Sequence, residues 1–489
     1  MLYTLTPTTR RRTPLAIALA LTFLSPASHA AGNDDLAAIR AQLAQMKAQY
    51  ESRIAALEQR LASTEKQQQV QEKATAEAVA TAHSANTVAT QARSQSQRGS
   101  APANAFNPEM SLILSGNATR LSQNPANRRI QGFIPAGGEA LPEARSFHLG
   151  ESELAISANI DPYLRGNFRL AIAPDNTVGV EEASIQTLGL GNGFSGKTGR
   201  FLSGIGYLNE QHPHEWDFSD APLAYQAFFG GNLGVDGVQA KWLAPTDTFL
   251  EFGVETARAR AFPATDEGRN KNGLMSASLF AHAGGDVGAS HSWRAGASLF
   301  SAKPRDRSWQ DQDSTGAATA NSFSGSSRTL ILDGVWKWAP NGDASQTYVK
   351  LQGEYFRRRE NGTLNFDDSA GSNRVGSVAD GFRSTQSGWY AQGIYKFLPR
   401  WRTGLCFDRL SSGSFSSGLI DSGTLTTADL GALQAFKPRR ETVMVDYNPS
   451  EFSRFRLQLA RDRSQPETTD NQVWLQYIVS LGAHGAHKF

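Results

Sequence analysis

The stretch Gly150–Ile172 reads GESELAISANIDPYLRGNFRLAI, and its pattern decides the fold. Its first arm has two faces, with Leu154, Ile156, Ala158 and Ile160 opposite Glu151, Glu153, Ser157 and Asn159. After the turn residues Asp161–Tyr163, its second arm again has two faces, with Leu164, Phe168, Leu170 and Ile172 opposite Arg165, Asn167 and Arg169. Strict alternation on both sides of a tight turn predicts a β-hairpin.

The same alternation recurs through residues 108–489, and aromatic residues cluster where the predicted strands end. Short turns interchange with long polar connections, which we expect at residues 256–273, 303–327, 358–386 and 411–439. An apolar face turned to lipid and a charged face turned to water would satisfy both solvents in a closed barrel. The pattern therefore predicts an all-β transmembrane barrel over residues 108–489, with on the order of 16 antiparallel strands.

The first 30 residues have the three parts of a secretory signal peptide. Arg10–Arg12 precede the apolar run Pro14–Leu24, and small residues lead to a cleavage site that we place after Ala30. The whole chain has 48 basic and 46 acidic residues, and the leader takes three of the basic ones. The mature net charge of −1 gives no reason to expect a nucleic-acid partner.

Residues 31–97 differ in composition from the rest of the chain and read as a helix. An apolar stripe recurs in steps of three and four from Leu36 to Leu61. This heptad spacing predicts a self-associating coiled coil, with a single amphipathic surface helix as the alternative. Residues 98–107 read as a linker.

Several stretches of the barrel resemble the phosphate-selective porin O/P superfamily. The resemblance rests on residues 148–230, mainly GESELAISANIDPYLRGNFRLAI, VGVEEASIQTLGL and GRFLSGIGYLNEQHPHEWDF, and continues through FLPRWRTGLCFDRL and YNPSEFSRFRLQL. The coiled coil before the barrel resembles trimeric porins of the DcaP type, whose N-terminal helices project into the periplasm. The resemblance implies a homotrimer of 16-stranded outer-membrane barrels.

Alternation also predicts which charged side chains line the pore. The candidates are Glu151, Glu153, Arg165, Arg169, Lys350, Lys396, Arg402 and Arg456. Rings of charge set ion selectivity in pores, and here both signs occur. We therefore do not carry phosphate selectivity over to this chain; mutual neutralisation between adjacent strands is the alternative.

The stretch Gly199–Phe218, GRFLSGIGYLNEQHPHEWDF, predicts a loop that folds into the barrel. Its constriction candidates are Tyr207, Asn209, Glu210, Trp216 and Asp217. His212 and His214 are the candidate metal ligands, with Glu215, Asp217 and Asp220 as further donors for a divalent metal. The alternative is that the histidines make ordinary polar contacts; no other cofactor is expected.

The sequence does not favour an enzyme. No Gly-x-Ser-x-Gly motif occurs in the barrel, and the histidines and serines are scattered, so we assign no catalytic residue. The single cysteine, Cys406, allows no intrachain disulfide.

The last residue completes the prediction. Phe489 ends a strand-like stretch, which resembles the recognition signal of outer-membrane barrel assembly, so that machinery is an expected partner. We expect an outer-membrane porin for passive diffusion of small solutes or ions, trimeric through the coiled coil and the barrel walls. Its surroundings would be outer-membrane lipid outside, the periplasm around the coiled coil, and peptidoglycan as a further candidate partner. The alternative function is a metal (zinc)-linked uptake channel or receptor.

Overall fold

A computed structural model of the chain describes residues 51, 59, 108–136, 144–258, 262–265 and 272–482. Glu51 and Gln59 are helical. The predicted signal peptide (1–30), the rest of the predicted coiled coil (31–97), the linker (98–107) and Phe489 lie outside the described residues. Among the described residues, no helix has the length and apolar character needed to cross a membrane.

The described chain from residue 108 onward consists mainly of β-strands. They are β1 (Glu109–Leu121), β2 (Ser146–Leu149), β3 (Ser152–Asn159), β4 (Leu164–Ile172), β5 (Val178–Thr187), β6 (Phe194–Leu202), β7 (Gly234–Leu243), β8 (Phe249–Arg258), β9 (Ser276–Val287), β10 (His291–Ala302), β11 (Arg307–Gln312), β12 (Ala318–Trp338), β13 (Tyr348–Asp367), β14 (Ser377–Leu398), β15 (Trp401–Ser417), β16 (Arg439–Ser450), β17 (Ser453–Arg463) and β18 (Asp470–Gly482). Two short α-helices lie in the connections between strands: α1 (Leu223–Phe229) and α2 (Gly418–Asp421).

The strands close into a barrel by antiparallel pairing throughout. β1 pairs with β18 on one side and with β2 and β3 on the other. β2 and β3 both pair with β1, and β10 and β11 both pair with β12, so each couple acts as one interrupted barrel strand. The described residues thus form a closed barrel of sixteen antiparallel strands, which confirms the predicted fold class.

The outer face of the barrel carries an apolar belt with defined edges. On β13 the outward side chains change from exposed Leu351 and Tyr355 to exposed Arg357 and Arg359. On β17 they change from apolar residues to Arg461 at the same end. A belt of this kind, bounded by polar residues, matches the hydrocarbon layer of a bilayer.

The long polar connections are shorter than the sequence predicts. The connection expected at 358–386 is mostly strand, because β13 continues to Asp367 and β14 begins at Ser377. Here polar residues pair in register beyond the apolar belt, as Asn361 does with Arg383. The polar composition correctly predicted that these residues meet water. It could not distinguish a loop from a β-hairpin that continues beyond the membrane, because such a hairpin is also polar on its outer face.

The interior holds two apolar clusters. One lies between the long connection 203–233, which contains α1, and the inner face of β9–β16; its wall residues include Phe280, Phe300, Ile331 and Phe356. The other joins Phe323, Leu364 and Phe382 to the β15–β16 connection at the long-loop end. Part of the inner face is therefore apolar, which corrects the prediction of a continuously charged inner wall.

Candidate functional site: the infolded segment and the inner wall

Residues 203–233, which we call the infolded segment, leave β6 and return to β7 at one point. The backbone N–H of Ser203 donates to the carbonyl of Leu233 at 2.9 Å. The buried side chain of Asn209 donates to both carbonyls, of Ser203 at 2.7 Å and of Leu233 at 3.1 Å, and accepts from the Leu233 N–H at 2.7 Å. Asn209, a predicted constriction residue, therefore fastens the two ends of the segment together.

Helix α1 packs the infolded segment against the apolar part of the inner wall. All seven of its residues are buried, and the Tyr225 ring packs edge-on against Phe356 with centroids 5.2 Å apart. The Tyr225 hydroxyl also donates to the carboxylate of Glu354 on β13. Gly206 adopts a φ of +65°, and a Cβ there would lie 2.4 Å from Glu354 Oε2, so only glycine fits this close approach.

Ion pairs then fix the next part of the segment to the wall of β13–β17. The Asp217 carboxylate lies 2.8 Å from Lys350 Nζ and 2.8 Å from Arg402 Nη1. Burial alone would raise the pKa of Asp217, but these two cations hold it well below its usual range. Arg402 also pairs with Asp446, which pairs with Arg456 at 2.8 Å. The segment therefore completes a chain of charges that begins on the wall.

The predicted pore-lining residues fall into three sets. Lys350, Arg402 and Arg456 lie on the inner face, as alternation predicts, but the infolded segment covers them. Arg165 and Arg169 stay about one-third exposed and pair with Glu109 and Glu153, respectively. Two others lie near strand ends: Glu151 lies in the break between β2 and β3, and Lys396 lies near the end of β14, where its ammonium donates to the Ala344 carbonyl.

The remaining constriction candidates lie in different surroundings. Tyr207 lies beneath two cations, with Arg294 Cζ 5.2 Å and Lys350 Nζ 5.5 Å from its ring centroid. Glu210 pairs with Lys241 at 3.3 Å. Trp216 is buried and donates its indole N–H to the Gln211 carbonyl, so it packs the segment and does not face a passage.

His212 lies at the centre of a carboxylate cluster that links the infolded segment to β3 and β5. Its Nδ1 is 3.1 Å from Glu181 Oε2 and 3.2 Å from Glu153 Oε2, and its Nε2 is 2.7 Å from Glu182 Oε1. Burial lowers the pKa of His212, but the hydrogen bonds to Glu181 and Glu182 outweigh it and raise that pKa to about 10. His214 joins the cluster, with its Nδ1 3.6 Å from Glu153 Oε2.

Sequence reasoning missed Glu181 and Glu182 because strict alternation would put adjacent residues on opposite faces. In the structure, Arg169 of β4 pairs with Glu182 while Leu170 pairs with Val180, so Glu181 is an extra residue in β5. Such a bulge re-aims side chains. Both carboxylates reach His212 from the lumen side, and the adjacent acids in VGVEEAS were the only sequence signal.

The acids that the sequence offered as metal donors are not among the ligand atoms that meet at His212. Glu215 accepts from the His212 backbone N–H at 3.0 Å, within a capping box. Asp217 pairs with Lys350 and Arg402, and Asp220 pairs with Arg440. Glu153 and Glu181 take their place, so the donor set differs from the predicted one: it keeps His212, while His214 lies beside it, near Glu153.

The fold and the site together define a closed sixteen-stranded barrel with a segment folded into its lumen. No family model matches the sequence. An uncharacterized protein of Aquifex aeolicus (strain VF5) is 31% identical over 414 residues, which cover 79% of this chain and 80% of that protein. The chain belongs to the same family as this Aquifex protein.

Similar solved structures include outer-membrane barrels. The outer membrane channel DcaP of Acinetobacter baumannii has a TM-score of 0.44 at 12% identity, over 77% of this chain and 97% of that chain. A loop L8 deletion mutant of OmpT, an outer membrane protein of Vibrio cholerae, has a TM-score of 0.47 at 10% identity, over 77% of this chain and 99% of that chain. The narrower resemblance to the phosphate-selective O/P superfamily stays a prediction.

Replacing Asn209 by alanine should loosen the infolded segment. The change leaves buried backbone groups of Ser203 and Leu233 without their side-chain partner, at a cost of about 2–3 kcal/mol. We expect faster proteolytic cleavage within residues 203–233 of the detergent-solubilised barrel. Gln211→Ala is the control, since its side chain makes one hydrogen bond, to the Tyr207 carbonyl. Equal cleavage of the two variants would contradict the role given to Asn209.

Proposed function

We propose that the protein is an outer-membrane channel of the porin type, through which small solutes or ions diffuse passively. The observation that carries this proposal is the position of the infolded segment, which covers one side of the inner wall and leaves charged side chains exposed on the other. The apolar outer belt and the closed strand pairing support a place within a bilayer.

The two sides of the inner wall differ in exposure. On the β15–β17 side, the side chains of Asp446 and Arg456 are 0% exposed. On the β3–β5 side, Arg165 is 31% exposed and Arg169 is 32% exposed. Charged groups that keep contact with water mark where a hydrated passage would run. We therefore infer that solutes pass along the wall of β3–β7, beside the points where His212 and Glu210 of the infolded segment contact it.

Charges of both signs border this passage, so it would not select strongly for one class of ion. Arg165, Arg169 and Lys241 pair with Glu109, Glu153 and Glu210, respectively. Charged rings set selectivity through their excess of one sign, and this wall has no large excess among the described residues. A weakly selective pore for small solutes is the function that these charges support.

Arg165→Glu should shift the ion preference of the pore toward cations. The change reverses one exposed charge beside Glu109, whose carboxylate lies 2.5 Å from the guanidinium. We expect the cation-to-anion permeability ratio to rise several-fold in reversal-potential measurements across a KCl gradient. Arg461→Glu is the control, because this substitution makes the same charge reversal on the outer face of β17. An equal shift in both variants would exclude a passage along β3–β7.

A further copy of the chain is the proposed neighbour of one outer wall. Arg200 and Asp236 form an ion pair at 2.7 Å on β6 and β7, among outward residues where the rest of the belt is apolar. Charges on a lipid-facing wall are costly, so protein contact would suit this patch. The proposed homotrimer would use this wall together with the predicted coiled coil at 31–97. The assembly role of Phe489 and contact with peptidoglycan are also proposals.

Swelling of proteoliposomes tests the channel directly. Vesicles that contain the purified protein should swell in small sugars at rates that fall with solute size, because an unassisted pore sieves by diameter. Vesicles that contain heat-denatured protein are the control. Swelling equal to the control in every solute, including the smallest, would reject passive diffusion.

The second candidate is a metal-linked uptake channel or receptor, which the cluster around His212 favours. Here the metal would be the cargo. Zinc should then cross proteoliposome membranes faster than magnesium at equal concentration, and His212→Gln should remove the difference. Equal rates for the two cations in the wild-type protein would reject this candidate.

A further inference from the structure

The cluster around His212 has the geometry of a metal site with ligands from three separate elements. Glu153 lies on β3, Glu181 on β5, and His212 on the infolded segment. The His212 Nδ1 atom lies 3.1 Å from Glu181 Oε2 and 3.2 Å from Glu153 Oε2, and the ligand atoms of all three residues lie within 4.8 Å of one another. Metal bonds of about 2.0–2.2 Å at tetrahedral angles place ligands about 3.3–3.6 Å apart, close to these distances.

Hydrogen bonding alone leaves one atom of this cluster unsatisfied. Glu153 is 2% exposed, and its Oε1 accepts from Arg169 at 2.7 Å. Its Oε2 is buried, accepts no hydrogen bond from the described residues, and points at the His212 ring. The single proton on His212 Nδ1 can serve Glu181 or Glu153 but not both well, whereas a cation at their common centre would bind both.

The other nitrogen of His212 makes the contact that metal-binding histidines usually make. Its Nε2 lies 2.7 Å from Glu182 Oε1, so an Nε2–H donates there. A carboxylate behind the imidazole fixes the tautomer, turns the Nδ1 lone pair toward the metal and strengthens the ligand. The bulge in β5 brings Glu181 and Glu182 to the same imidazole, one to each nitrogen.

The net charge of the cluster suits a divalent cation. Four carboxylates and two cations meet here: Glu153, Glu181, Glu182 and Glu215 against Arg169 and Lys197. With the imidazoles neutral, as metal binding requires, this leaves two negative charges. One nitrogen and two oxygen donors suit zinc or a similar transition ion better than magnesium or calcium, which prefer oxygen ligands.

We propose that Glu153, Glu181 and His212 bind one divalent transition-metal ion that fastens the infolded segment to β3 and β5. The ligands are largely buried, with His212 3% exposed, so we assign a resident ion to this site and not the cargo ion of the second candidate function. Glu182 is a positioning residue that acts through His212. The inference goes beyond the proposed function, since it concerns binding and does not require conduction.

Metal binding to the purified, detergent-solubilised full chain tests the site. After chelator treatment, zinc titration should give one tight site per chain, and cobalt should give visible absorption bands of a tetrahedral or five-coordinate ion. His212→Gln and Glu181→Gln should weaken zinc binding at least 100-fold. Glu182→Gln should weaken it about 10–100-fold, as expected for a carboxylate behind a ligand.

His282→Gln is the matched control. His282 is also buried on the inner wall, and its Nδ1 lies 3.3 Å from the one carboxylate of Glu251. Its zinc affinity should equal that of the wild type. Folding of each variant is checked by the shift in gel mobility on heating. Absence of a tight site in the folded wild-type chain, or equal affinity in His212→Gln and the wild type, would overturn the proposal.

Discussion

Replacing residues 204–232 by a short glycine–serine turn should raise single-channel conductance several-fold. The infolded segment fills much of the inner cross-section, so its removal widens the passage from the residual gap to most of the barrel lumen. The closed strand pairing does not involve these residues, so the barrel should still assemble.

The structure allows this deletion to be made cleanly. Leu202 and Gly234 are paired in register, and the Ser203 N–H already bonds the Leu233 carbonyl, so a tight turn can join β6 to β7. Asn209→Ala, which keeps the whole segment, is the control and should change the mean conductance far less. An unchanged conductance in the deletion would show that the narrowest point lies elsewhere, for example at the β15–β16 connection.

Replacing Asp446 by alanine should destabilise the barrel strongly. Its buried carboxylate accepts from Arg402 at 2.7 and 2.8 Å and from Arg456 at 2.8 and 3.0 Å. Removing it leaves Arg456 buried without a carboxylate partner and leaves Arg402 with Asp217 alone, which costs about 3–5 kcal/mol in comparable pairs. The free energy of unfolding in urea, measured with the protein in lipid or detergent, should fall by that amount.

The same strand supplies the control for Asp446. Glu441 pairs with Arg409 at 2.8 Å, but both side chains are exposed to about one-third. Glu441→Ala should therefore cost less than about 1 kcal/mol. Adding Arg456→Met to Asp446→Ala should recover part of the loss, because one uncompensated charge is then gone. Equal losses in Asp446→Ala and Glu441→Ala would contradict the buried ion-pair chain.

The repeating wall could be predicted from the sequence because it obeys a period of two. In the first hairpin, Leu154 pairs with Leu170 and Ile156 with Phe168, on the face that alternation assigned to lipid. The short turn between them lies at one end of the barrel with the start of β1, where Glu109 pairs with Ser157. The class of fold and the number of strands follow from such units, and the structure confirms both.

The site was harder to predict because it depends on departures from that period. The extra residue in β5 moves Glu181 to the same side as Glu182, and no local propensity marks it. The apolar patch on the inner wall, with Phe300 and Phe356, exists because the segment packs there, which depends on residues far apart in the chain. His212 and His214 could be singled out, but their partners could not.

The charged inner face shows what the alternating pattern could predict and what it could not. It placed Arg165 and Arg456 on the same inner surface, and both lie there. It gave no means of telling that Arg456 would be covered by the infolded segment while Arg165 kept its contact with water. That difference in exposure depends on which part of the wall the infolded segment packs against. The same packing decides which charges border the proposed passage.

Single-channel current across a planar lipid bilayer tests the central claim most directly. Purified protein added to one side should give discrete current steps in KCl, with insertions in groups of three if the homotrimer forms. The steps should be small for a sixteen-stranded barrel, because the infolded segment leaves only part of the lumen open. Folded protein that inserts into the bilayer and conducts no ions at any voltage would contradict the account.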